Sequence, residues 1–174
     1  MFSVSESKWL DAEEMRAWQA FLAAGALVLR RVEEQLKGQA GLSHAQYEVL
    51  VRLSGAADGE MRMTELAGSL FTTKSGLSYQ IGQLEKAGLV RRRTCEFDVR
   101  GVFACLTEAG RAKLDEVAPG HVAAVRENII DALDRQQLAL VAEALEKVAD
   151  QASDMDWRET RAGAAADLPP CRPE

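Results

Sequence analysis

The sequence predicts a mainly α-helical protein with a small β wing: a winged helix-turn-helix flanked by further helices. Three observations predict it. Two short helical patterns are separated by a three-residue turn between Glu65 and Ala87. The apolar period changes after Gly88, where "LVRRRT" and "GVFACL" flank a polar loop. Long apolar stripes at helical spacing then lie on both sides of this block.

Composition sets the outer limits. At 174 residues, 47% hydrophobic and 28% charged, the chain is long and apolar enough for one globular domain with a sizeable core. Glu6, Lys8, Asp11, Glu13, Glu14 and Arg16 break any signal-peptide pattern, and the uncharged run from Ala17 to Leu29 is too short to span a bilayer. A cytoplasmic location with no membrane contact is expected. Three cysteines without a C-x-x-C pair suit neither a disulfide framework nor a zinc site. With only His44 and His121 and no nucleophile paired to a base, no enzyme, metal or cofactor is expected.

The elements follow in order. Trp18, Phe21, Leu22, Gly25, Leu29, Val32 and Leu36 recur at spacings of three and four, so a long helix is expected to end near Gly38. Leu42-Ser43-His44-Ala45-Gln46-Tyr47 restarts the chain with a Ser43/Gln46 capping box and a Leu42/Tyr47 staple, opening a helix to about Leu53. "SGAADGE" is loop and "MRM" a minimal strand. Thr64 is expected to cap a short helix over Glu65 to Leu70, and Thr73 a second from Lys74 to about Ala87 that buries Leu77, Ile81 and Leu84 and stops at Gly88. After the hairpin, Thr107 caps a helix that Pro119-Gly120 is expected to kink, and Asp134 caps another with a stripe from Leu138 to Ala149. From Ser153 onward three of the four prolines and no periodicity read as a disordered tail.

Charge is segregated on this layout. Glu60 to Lys113 holds nine Lys/Arg against six Asp/Glu, a net +3, which leaves −9 for the rest of a chain whose total is −6. The positive residues concentrate in "RRRTCEFDVRG", on the hairpin beside the second short helix, where nucleic-acid phosphates would be met. A solvated strand edge would also carry such a run, but the helix, turn, helix and wing order favours double-stranded DNA as the partner.

"MTELAGSLFTTKSGLSYQIGQLEKAGLVRR", followed by "DVRGVFACLTEAGRAKLDEVAPGHVAAVRENIIDALD", resembles the MarR family of bacterial transcription regulators over about residues 10 to 150. The resemblance implies an N-terminal dimerisation region over 1–40, a winged helix-turn-helix over 41–113, C-terminal dimerisation helices over 114–152 and a tail over 153–174. It also implies a homodimer on a pseudopalindromic operator, released when a small aromatic or lipophilic effector binds between the dimerisation and DNA-binding parts. By the same resemblance the recognition helix starts at Lys74, capped by Thr73. Its exposed side offers Ser75, Ser78, Tyr79, Gln80 and Gln83, with Gly76 allowing close approach. Lys74 and the hydroxyls suit phosphates, and Gln80 or Gln83 suits adenine. Arg91, Arg92, Arg93 and Arg100 carry the wing's charge, with Arg100 entering the minor groove and Asp98 orienting it. Many family members have arginine where this chain has Tyr79 and Gln83.

Two smaller sets complete the expectations. Trp9, Trp18, Phe21, His44, Tyr47 and Arg52 lie on or beside the helices that line the effector crevice in relatives, although an aromatic stripe is more often core. Cys95 and Cys105, symmetric about the wing loop, can face each other and form a redox-sensing disulfide if the register allows. Alternative functions are therefore a winged-helix module that binds protein, or a thiol redox sensor on the same fold.

Overall fold

A computed structural model describes residues 9–94 and 102–153 of the chain. Six helices and three strands follow in the order α1 (Ala12–Ala40), α2 (His44–Ser54), β1 (Glu60–Arg62), α3 (Met63–Ser69), α4 (Lys74–Lys86), β2 (Val90–Thr94), β3 (Val102–Leu106), α5 (Glu108–Val125) and α6 (Arg135–Ala152). The tail beyond Ser153 and the wing residues 95–101 lie outside the described residues.

The caps behave as their residue types dictate. Ser43 Oγ accepts the Gln46 N–H at 3.2 Å while Gln46 Oε1 accepts the Ser43 N–H at 2.9 Å, closing the expected box at the start of α2. Thr73 Oγ1 accepts the Gly76 N–H at 3.0 Å and Thr107 Oγ1 the Gly110 N–H at 3.0 Å, so two hydroxyls begin α4 and α5. Asp134 and Gln137 form the same box at α6.

Three boundaries differ from the sequence reading. α1 runs past Gly38 to Ala40 and is capped by Gly41 at φ 67°, because Gly38 has open space around it and nothing there forces a left-handed residue. α3 begins at Met63 with Arg62 as its uncapped N-cap, so Thr64 lies inside the helix. There β1 feeds directly into the helix and leaves no loop residue to act as cap. Pro119 sits within a continuous α5, and the irregularity falls later, in a single wide π turn over Arg126–Ile130.

The strands make one antiparallel sheet in the order β1-β3-β2, with Arg62, Phe103 and Arg93 in one cross-strand row and Glu60, Cys105 and Arg91 in the next. The core lies between α2, α3, α4 and the sheet and is closed by α5 and the C-terminal part of α1. Leu36, Leu50, Leu53, Leu66, Ile81 and Val117 are entirely buried there. Leu42 and Tyr47, the expected staple, are both in it.

The rest of the apolar surface is not used by the chain itself. α1 buries only Val32 and Leu36, and α6 buries nothing fully. Trp9, Leu10, Met15, Trp18, Phe21, Leu22, Leu140, Leu145 and Val148 are exposed. Among the described residues no helix is long and apolar enough to cross a membrane, so these are the faces of protein-facing rather than bilayer-spanning helices.

Candidate nucleic-acid interface

α4 is held from below and left bare above. Leu77, Ile81 and Leu84 point into the core, while Lys74, Ser75, Ser78 and Tyr79 are exposed, Tyr79 to 64%. This is the 3.6-residue period at work: positions offset by one or two from the buried row fall on the outer face. Thr73 at the N-terminus is exposed with its hydroxyl 3.2 Å from that of Ser75. A Cβ on Gly76 would stand 3.0 Å from Thr72 Oγ1 and 3.1 Å from Thr73 Oγ1, so glycine makes room there for the capping hydroxyls.

Gln80 and Gln83, expected on the exposed side, are only half-exposed. Gln80 turns toward α2, where it lines a cavity of about 400 Å³. It shares the same edge of α4 as Gly76 and Leu77, a quarter turn away from Ser75 and Tyr79. The described outer face therefore centres on Lys74, Ser75, Ser78 and Tyr79.

The wing arginines separate by strand parity, because successive side chains point to opposite faces. Arg92 faces α4. Its Nη1 donates to Glu85 Oε2 at 2.5 Å, its Nη2 to the Ser78 carbonyl at 2.9 Å, and its backbone N–H to Glu85 Oε1 at 2.9 Å. Arg93 lies on the other face and forms a two-pronged pair with Glu60 while stacking over the Phe103 ring, 4.8 Å from its centroid. The Arg93 guanidinium and the Cys105 thiol together hold the Glu60 carboxyl below the usual carboxylate range. Arg92 and Arg93 are thus committed inside the protein. Arg91 and Lys74 make no ion pair with any described residue. A cavity of about 300 Å³ opens between α4 and the wing stem, lined by Lys74, Ser78, Arg92 and Thr64 among others. Asp98 and Arg100 lie outside the described residues.

The predicted effector set divides. Trp18 and Phe21 stack on each other at 6.0 Å on the exposed half of α1 and line neither cavity. Tyr47 is core: it packs against His121 with ring centroids 4.3 Å apart, and burial pushes its phenol up to about 12. Trp9 is 88% exposed. His44 and Arg52 do line the larger cavity, joined by Glu48, which lies 3.9 Å from His44 Nε2 and 3.7 Å from Arg52 Nη2. Glu48, Gln80 and Phe71 were missed as pocket residues. Glu48 was legible, since it stands four residues from both His44 and Arg52 on one helix. Phe71 was not, because only folding brings the α3–α4 turn over α2.

The facing cysteine pair is corrected by the register. Arg91, not Cys95, stands opposite Cys105 on β2, and Glu60 stands opposite it on β1. Cys105 is buried and donates its S–H to Glu60 Oε2 at 3.3 Å. Burial, and then the Glu60 carboxylate, push the thiol up, which removes thiolate character. Cys95 lies outside the described residues.

Comparison with known proteins agrees with this geometry. A sequence model of the MarR family matches residues 40–101. The structure is similar to Sco3205, a MarR family transcriptional regulator from Streptomyces coelicolor solved in complex with DNA, at 40% identity and a TM-score of 0.82, covering 88% of this chain and 97% of that one. It is also similar to AbsC from the same organism, at 41% identity and a TM-score of 0.79, covering 83% and 97%. Among curated proteins, the HTH-type transcriptional repressor YetL of Bacillus subtilis is 33% identical over 106 residues, 59% of this chain. The match spans 64% of that repressor's length.

Proposed function

The chain belongs to the MarR family of transcription regulators, and from that premise we propose that it is a ligand-responsive repressor acting in the cytoplasm as a homodimer on a pseudopalindromic operator. The observation that carries the proposal is the outer face of α4. It is a capped helix whose core row is fully buried and whose Lys74, Ser75, Ser78 and Tyr79 stand free beside the wing stem. An α-helix fits the major groove, hydroxyls and Lys74 suit phosphates, and Tyr79 suits a phosphate or a thymine methyl. Arg100 is assigned to the minor groove and Asp98 to orienting it. Arg91 supplies further wing charge.

The dimer is supported by the exposed apolar faces of α1 and α6. A monomer rarely leaves that much contiguous apolar surface in water, and a symmetric operator requires two reading heads one helical turn apart. The effector site is assigned to the cavity between α2 and α4, because occupants there touch Gln80 and Gly76 on the reading helix itself. The test is binding of the purified chain to the DNA upstream of its own gene, followed by anisotropy. We expect a salt-dependent complex of one dimer per inverted repeat, weakened by Lys74→Ala. A salt-insensitive signal, or a stable protein partner recovered with no DNA binding, would instead favour a protein-docking module.

A further inference from the structure

The turn between α3 and α4 closes as a Schellman motif. The Phe71 N–H donates to the Gly68 carbonyl at 3.1 Å, and the Thr72 N–H to the Ala67 carbonyl at 3.1 Å. That motif needs a left-handed residue just past the helix, a place taken most often by glycine. Here it is Phe71, at φ 50°. Among the described residues only Asp58 shares a positive φ without being glycine, and aspartate tolerates that region where a bulky aromatic does not. The ring gains little in exchange, since it is 58% exposed. Strain at the backbone and an exposed aromatic at one residue point to a use outside the free fold.

The ring stands at the larger cavity, whose walls include Leu77 and Val49 on the apolar side and Arg52, Glu48, His44 and Gln80 on the polar side. Arg52 is 6% exposed, and its charge is already met by Glu48 at 3.7 Å. A carboxylate entering there would bring a second negative charge beside Glu48. A neutral ring with a hydroxyl would instead place its apolar face on Phe71 and its polar edge among groups that both donate and accept.

We propose that Phe71 is the stacking platform of the effector site, and that the site selects neutral planar aromatics with a phenol-like hydroxyl over aromatic carboxylates. The proposal rests on the assignment of the effector to this cavity. Binding would then press on the turn that sets the start of α4, one residue before the Thr72–Thr73 step that caps it.

The experiment titrates the full chain with 2-naphthol and 2-naphthoate by fluorescence. We expect the wild type to bind 2-naphthol at least about tenfold more tightly than 2-naphthoate. Phe71→Ala weakens 2-naphthol by about tenfold, the worth of one aromatic pair, while Phe71→Trp stays within about threefold. Phe71→Gly weakens it as Ala does but melts about 2 to 4 °C above Phe71→Ala, because only glycine relieves the left-handed backbone. Gln80→Trp, which fills the cavity, abolishes binding. Equal affinity in the wild type and Phe71→Ala, with Gln80→Trp still blocking, overturns the role of Phe71 and spares the cavity. Preference for 2-naphthoate overturns the proposed selectivity. Binding that survives Gln80→Trp, or no binding by the wild type, removes the cavity assignment and this proposal with it.

Discussion

Arg92 looks like a phosphate contact in the sequence and is a strut in the structure, and the salt dependence of DNA binding separates the two roles. Its guanidinium is held by Glu85 at 2.5 Å and by the Ser78 carbonyl at 2.9 Å, so its charge is already met inside the subunit. Lys74 has no ion-pair partner among the described residues. Each phosphate neutralised contributes about 0.9 to the slope of log affinity against log salt, and a homodimer carries every residue twice, so one lost contact type removes about 1.8. Lys74→Met is expected to flatten the slope by about that amount between roughly 50 and 200 mM salt. Arg92→Met is expected to lower affinity at every salt concentration, because α4 is no longer tied to the wing, while changing the slope by less than about a third as much. Glu85→Gln frees the charge and steepens the slope. Anisotropy titrations of an operator duplex at four salt concentrations read all three variants. An Arg92→Met slope flattened as much as that of Lys74→Met would show that the ion pair opens on DNA and refute the strut.

Two further outcomes follow from packing and titration. A Cβ on Gly110 would stand 2.1 Å from the Leu89 carbonyl oxygen, whereas one on Gly38 meets nothing within 4 Å. Gly110→Ala should therefore cost about 1–3 kcal/mol and lower the melting temperature by about 2 to 12 °C, while Gly38→Ala, inside α1, raises stability by about 0.5–1 kcal/mol. A Gly110→Ala protein as stable as the wild type would mean that α5 does not approach the α4–β2 turn as closely as described. His121 titrates below its ordinary value of 6.5, chiefly through burial and then through His44, with Glu48 opposing. A depressed histidine keeps its full contribution above about 6.5 and loses it as pH falls through the folded value. Melting temperature should therefore drop on going from pH 7.5 to 5.5, and His121→Gln should flatten that decline. An unchanged decline would place the titrating group elsewhere.

Local chemistry was legible along the chain. Ser43, Thr73, Thr107 and Asp134 announce helix starts because a side-chain oxygen near an unsatisfied N–H needs no distant partner. The buried row Leu77, Ile81 and Leu84, the hairpin and the winged helix-turn-helix order follow from periodicity alone. The departures are all places where a distant segment decides. Thr64 loses its cap because β1 pairs with β3 and runs straight into α3. Gln80 leaves the outer face because α2 packs alongside α4. Tyr47 becomes core because His121, 74 positions later, lies against it.

What the sequence by itself determined is therefore the order of elements, their caps and the gathering of positive charge in one block, since each depends on neighbours within a turn or two. What only the tertiary structure decided is which of those charges face outward. Arg91, Arg92 and Arg93 are identical as residues. Strand parity sends Arg92 to Glu85 and Arg93 to Glu60, a carboxylate 33 residues away in sequence, and whether a charge is spent within the fold depends on that three-dimensional pairing.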